Sequence, residues 1–211
     1  CSRLVNFVVS RVSFMRCGLL IMLFVHVYES RRAAAQLLLR QMAETDGLTG
    51  VANRSSFQRE LGNSIALARR SGHALVLVIL DLDHFKAIND RWGHDAGDQA
   101  LRHVCNCLHG RLRGTDLLAR LGGEEFGILL RDTDSAHAMP LVEQLRAQIT
   151  QHPLDYRGEQ IPLSATFGMA EWPRDGSDGD QLYRCADRRL YYGKHQGRNQ
   201  LVFHDVLMVD G

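Results

Sequence analysis

Leu75-Val76-Leu77-Val78-Ile79-Leu80 is an unbroken apolar run that stops abruptly at Asp81-Leu82-Asp83. A strand built from such a run has no polar face to turn toward water. It has to be covered on both sides, as in the centre of a sheet packed between helices. A buried strand of this kind delivers carboxylates at its carboxyl end, which is what a metal or nucleotide site requires.

A second acidic feature follows the same logic. Leu117-Leu118-Ala119-Arg120-Leu121 and Phe126-Gly127-Ile128-Leu129-Leu130 flank Gly122-Gly123-Glu124-Glu125 and read as the arms of a β-hairpin. The glycines allow the positive φ of a tight turn. Glu124 and Glu125 repel each other at its tip, which suits a site that holds a cation; a solvated acidic turn is the other reading of these four residues alone. The hairpin demands an antiparallel pair among interleaved strands and helices. The expected fold is therefore α+β, with a central, mostly antiparallel sheet flanked by helices, and not a doubly wound parallel fold. A G-x-x-x-x-G-K-S/T loop is absent, so bound phosphates would be held by metal, backbone amides and separate Lys or Arg side chains.

The remaining periodicities fill in the domain. Phe57, Leu61, Ile65 and Ala68 share a helical face that ends near Ser71-Gly72, and Phe85, Ile88 and Trp92 repeat at helical spacing up to Gly93. A further helix is predicted to begin at Asp98, with that side chain as its cap and Leu101, Val104, Cys105, Leu108 and Leu112 inward. Another places Leu141, Val142, Leu145 and Ile149 inward, and a last one carries Leu182, Cys185, Ala186 and Leu190. Ile161, Leu163, Ala165, Phe167 and Met169 alternate strictly, which predicts a half-buried strand. Leu201-Val202-Phe203 closes the sheet.

With 25 Lys plus Arg against 24 Asp plus Glu, the net charge of +1 provides no global field for nucleic acid or acidic partners. Five cysteines without a C-x-x-C pair fit reduced thiols in the cytosol. Ten histidines show no zinc-ligand spacing. Residues 1–28 are apolar but carry Arg11 and Arg16, leaving a membrane-segment remnant and a buried or interfacial helix as equal alternatives. Residues 29–45 are rich in helix formers, and Ala35, Leu38 and Met42 make a short coiled-coil-like seam suited to a connector that pairs with its own copy. Thr45-Asp46-Gly47-Leu48-Thr49-Gly50 is turn chemistry and marks the expected start of the main domain, 46–211.

Asp46-Gly47-Leu48-Thr49-Gly50, Asn53-Arg54, Asp81-Leu82-Asp83-His84-Phe85-Lys86, Asn89-Asp90, Gly93-His94-Asp95, Gly97-Asp98, Gly122-Gly123-Glu124-Glu125-Phe126 and Tyr191 to Asn199 occur in this order. Together they resemble the GGDEF-domain diguanylate cyclases from about Asp46 to Phe203. Val51 and Gly193 depart mildly from the family pattern, and Gly193 is expected to weaken its helix by about 1 kcal/mol.

The resemblance implies a palm-like fold related to nucleotidyl cyclases and polymerases, and condensation of two GTP into cyclic di-GMP with release of two pyrophosphates. It implies two Mg²⁺ per active site, with Mn²⁺ as a substitute, held by the Asp81 and Glu124 carboxylates and the Leu82 carbonyl, with Glu125 as nearby support. Glu124 falls at the position assigned as general base, and Lys86 at the lysine that offsets charge on the phosphates. Asn89 and Asp98 match the pair that reads guanine, His94 a substrate-proximal position, and Lys194 and Arg198 the distal phosphate contacts. Arg113 and Asp116 match an R-x-x-D inhibitory site for the product, with an ordinary turn salt bridge as the alternative. One domain binds one GTP, so catalysis implies a homodimer. A catalytically silent receptor for GTP or cyclic di-GMP is the competing reading. Partners are therefore GTP, cyclic di-GMP and a second copy, with no nucleic acid. The catalytic domain is expected in the cytoplasm, with the N-terminal segment as an anchor to the bacterial inner membrane if it is a membrane segment.

Overall fold

The computed structural model describes Met22, His26 and residues 28–32 and 44–204. The chain divides into two units, residues 1–43 and 44–211. In the first, residues 28–32 are helical and Ser30 Oγ donates to the His26 carbonyl at 2.8 Å. Most of the apolar segment and the Ala35, Leu38, Met42 seam lie outside the described residues, among which no helix is long and apolar enough to cross a membrane.

The second unit runs β1 (Ala52–Asn53), α1 (Arg54–Ser71), β2 (Leu75–Leu82), α2 (Phe85–Trp92), α3 (His94–His109), β3 (Leu117–Gly122), β4 (Glu125–Arg131) and α4 (Ser135–Gln151). It continues through β5 (Leu154–Tyr156), β6 (Glu159–Ile161), β7 (Ala165–Trp172), α5 (Gly179–His195) and β8 (Leu201–Val202). The sheet order is β1-β3-β4-β2-β7-β8, antiparallel across its four middle strands and parallel at both edges. The expected mostly antiparallel α+β sheet is thus present, as a mixed sheet.

Every residue of β2 is buried, and the two faces of the strand feed two separate cores. Val76, Val78, Leu80 and Leu82 pack with α2, α3 and α4, whereas Leu75, Leu77 and Ile79 pack with α1 and α5. The α1 face is the predicted Phe57, Leu61, Ile65, Ala68 stripe; Asn53 caps its start by accepting from Ser56 N at 3.0 Å, and Gly72, at φ 75°, ends it.

Two sequence readings change. The alternating residues 161–169 are not a half-buried strand: Ile161 ends β6, and β7 is buried on both faces. Its second face is lined by the small residues Thr166, Gly168 and Ala170, over which α5 lies so closely that a Cβ at Gly168 would fall 2.1 Å from the Ala186 carbonyl oxygen. Alternation here separates large from small, not buried from exposed. The β5–β6 hairpin was also not anticipated; Arg157 and Gly158, both at positive φ, form its tight turn. The second change is that α3 starts at His94, directly after Gly93, so Asp98 lies inside the helix and is not its cap.

One buried ion cluster ties α5 to the sheet. Arg189, 4% exposed, donates to the Met169 carbonyl at 2.7 Å and to Asp175 at 2.8 and 3.2 Å, while Arg174 donates to Asp175 at 2.9 Å. Burial alone would raise the Asp175 carboxyl, but bonds from Arg174, Arg189 and the Glu171 N–H, with the charge of Arg189, outweigh it and hold it well below the usual carboxylate range. A depressed carboxyl stabilises the fold above its unfolded pKa, near 3.9, and progressively less as pH falls below that value. Asp175→Asn should therefore cost about 3 kcal/mol at pH 7, with the wild-type advantage shrinking below about pH 4, as measured by urea melts across pH.

Candidate active site

The carboxyl end of β2 meets the tip of the β3–β4 hairpin through the sheet register. Asp81 pairs with Glu125 on one side and Thr166 on the other, and Leu82 N donates to the Glu124 carbonyl at 3.3 Å. Glu125 belongs to β4, and the turn itself is Gly123-Glu124 with Gly123 at φ 47°. The two acidic features of the sequence therefore converge at one end of the sheet's inner strands.

Asp81 is 6% exposed. Its carboxyl is pushed up to about 6, chiefly by burial and in part by the charges of Glu124 and Glu125, with Lys194 pulling the other way. Lys194, in the last turn of α5, places Nζ 2.5 Å from Asp81 Oδ1. It was expected on a distal phosphate, and here it supplies the countercharge that a buried carboxylate needs. Against the three carboxylates of Asp81, Glu124 and Glu125, the single ammonium leaves an acidic excess that suits a divalent cation. Among the described residues no three His, Cys, Asp or Glu side chains form a metal cage by themselves.

The rim carries the other expected residues. Lys86 is exposed at the second position of α2, and His94 and Asp98 are exposed on α3. Asn89 is half-buried, with its amide against the first turn of α3: a Cβ at Gly97 would fall 2.0 Å from Asn89 Oδ1. The missing side chain at Gly97 thus admits the amide beside the residue that precedes Asp98. Arg198 is exposed at φ 61°, in the loop leaving α5. Gly193 does more than weaken α5, since a Cβ there would meet Thr166 Cγ2 at 2.7 Å; its absence lets the turn bearing Lys194 settle onto β7.

Arg113 and Asp116 lie at the opposite end of β3 from the Gly-Gly turn, roughly 17 Å away for a strand of this length. They line a separate pocket of about 520 Å³. The expected alternative of a turn salt bridge is not formed. Asp116 Oδ2 accepts from the Arg113 backbone N–H at 2.9 Å, and the Arg113 guanidinium has no partner among the described residues. Arg131 braces this turn by donating to the Thr115 carbonyl at 2.6 Å and to Ser64 and Glu60 of α1 at 2.9 and 3.0 Å.

Two supports of the site escaped sequence reading. Asp83, to which the sequence assigns no role, is 5% exposed and accepts from Ser164 Oγ at 2.8 Å, Thr166 Oγ1 at 2.7 Å and Asn199 N at 3.0 Å, fastening the β2 end to the loop that bears Arg198. Arg120 donates twice to the Gly123 carbonyl, at 2.7 and 3.0 Å, and reaches Asp46 at 3.2 and 3.3 Å. Burial would raise the Asp46 carboxyl, but hydrogen bonds from Thr49 and Arg120 lower it below its ordinary value. A lone arginine inside the apolar run 117–121 was the available signal. Arg120→Ala should speed amide exchange at Gly122–Glu125 and destabilise the domain by about 2 kcal/mol; unchanged exchange would mean that the clamp does not order the turn.

With this geometry in hand, comparison with known proteins is specific. The family model for the diguanylate cyclase GGDEF domain matches residues 43–200. The chain is 35% identical over 202 residues, 95% of its length, to the probable diguanylate cyclase DgcT of Escherichia coli, and 40% identical over 163 residues, 77% of its length, to the diguanylate cyclase DgcP of Pseudomonas aeruginosa. It covers 42% and 24% of those relatives, so it spans less than half of either. A cyclic di-GMP phosphodiesterase of P. aeruginosa, NbdA, is 37% identical over 80% of this chain, which covers 22% of NbdA. Among solved structures, the coiled coil and GGDEF domain of DgcB from Caulobacter crescentus, in complex with c-di-GMP, superimposes with a TM-score of 0.80 at 31% identity, covering 88% of this chain and 99% of that one. The chain belongs to the GGDEF diguanylate cyclase family.

Proposed function

We propose that this chain is an active, Mg²⁺-dependent diguanylate cyclase that joins two GTP into cyclic di-GMP and two pyrophosphates as a homodimer, restrained by its product at Arg113 and Asp116. The observation that carries this reading is the buried Asp81 carboxylate at the end of β2, set beside Glu124 and Glu125 and paired with Lys194. Asp81, Glu124 and the Leu82 carbonyl would hold the metal. When bound, Mg²⁺ neutralises phosphate charge and lowers the pKa of the attacking 3′-hydroxyl.

The chain's own groups perform the rest. Lys86 and Arg198 meet phosphate oxygens from the rim, and Lys194 exchanges its Asp81 contact for one with phosphate as substrate arrives. Asn89 presents its amide to O6 and N7 of guanine, and Asp98 accepts from N1 and N2. His94 borders the same base. Glu124 accepts the hydroxyl proton if it acts as base, or holds the metal that makes the proton leave. One such site binds one GTP, so two copies must face each other, with residues 29–45 as the pairing connector and 1–28 as a tether to the cytoplasmic face of the inner membrane.

A second reading, a silent domain that only binds GTP or cyclic di-GMP, draws support from the likeness to a chain named as a phosphodiesterase. Incubating the dimeric protein with GTP and Mg²⁺ and quantifying cyclic di-GMP and pyrophosphate separates the two: binding without product would favour the receptor. Glu124→Gln and Asp81→Asn should each abolish turnover while leaving the circular dichroism spectrum intact. Gly97→Ala should raise KM for GTP by about tenfold, because its Cβ displaces the Asn89 amide. Arg113→Ala should raise the product level needed for half inhibition by about tenfold or more.

A further inference from the structure

The pocket bearing Arg113 and Asp116 is lined by a second arginine, Arg111, two residues earlier in the turn that leaves α3. Both guanidinium groups are exposed, and neither has a hydrogen-bond or ion-pair partner among the described residues. The acids around them are differently placed. Asp132 Oδ1 lies 2.8 Å from His73 Nδ1. Asp134 Oδ1 caps α4 by accepting from His137 N at 2.9 Å and contacts His137 Nδ1 at 2.7 Å. Asp116 commits Oδ2 to the Arg113 backbone N–H.

Among the described residues the pocket therefore offers two guanidinium groups without a partner and one unengaged oxygen on each of Asp116, Asp132 and Asp134, in a volume within the range of small-ligand sites. That charge pattern fits a ligand with two anionic groups and donor-bearing heterocyclic edges. Cyclic di-GMP has two phosphodiesters, and its guanines present N1–H and N2–H donors. We infer that Arg111 is a second anion-binding arginine of this pocket, engaging one phosphodiester of cyclic di-GMP while Arg113 engages the other and Asp116 takes a guanine edge. The assignment rests on the reading of this pocket as the inhibitory site, and it adds a residue that the R-x-x-D spacing does not contain. Guanidinium groups suit phosphate oxygens because their fixed, forked donors stay charged at all working pH values.

Calorimetric titration of cyclic di-GMP into the whole chain tests this directly. Arg111→Ala should weaken binding about tenfold and reduce the dependence of affinity on salt, with Arg111→Lys recovering part of both because a point charge replaces the fork. Wild-type affinity and salt dependence in Arg111→Ala, together with a tenfold loss in Arg113→Ala, would overturn the Arg111 assignment and leave the inhibitory site standing. Unchanged binding in both variants would overturn the inhibitory-site reading and this inference with it.

Discussion

A carboxylate at the end of a strand buried on both faces cannot keep its charge without help, because desolvation penalises the ionised form. Asp81 is in that position, and much of the site answers the problem it creates. Lys194 reaches it only because α5 lies close on β7, and α5 lies close because Thr166, Gly168 and Ala170 leave room beneath it and Gly193 adds no side chain above. Core packing and active-site electrostatics are thus one arrangement. Glu124 and Glu125 add two further carboxylates beside Asp81 at this end of the sheet.

Holding two acidic segments side by side also needs bracing, since their carboxylates repel. The Arg120 guanidinium spans from the Gly123 carbonyl to Asp46, so the hairpin tip is tied to the turn at which the domain begins. Asp83 does the equivalent work on the other side, gathering Ser164, Thr166 and Asn199 around the β2 exit. Both braces are charge-assisted and partly or wholly buried, the conditions under which a hydrogen bond is strongest and its loss most costly.

The pocket at Arg113 shares β3 with the catalytic turn but stands at the other end of it. None of the residues that line it belongs to the acidic cluster around Asp81. The link from Arg131 to Thr115, Ser64 and Glu60 joins this pocket to α1, giving the turn a rigid base.

Sequence alone determined the central strand, the hairpin, the helical faces and the order of the motifs, because each rests on local periodicity or on glycine at a turn. It went wrong where a pattern had two physical meanings: alternation in β7 marked large and small residues on two buried faces, and Asp98 near a glycine imitated a helix cap. Other features were invisible to it. Lys194 on Asp81, the Asn89 amide against Gly97, the Arg120 and Asp83 braces, and Arg111 beside Arg113 without an acidic partner join segments far apart in the chain or depend on which acids are already engaged. Local sequence decides which residues are available to a site. Only the packed sheet and its helices decide which charges meet, because the cost of burying an unpaired charge is set by everything that surrounds it.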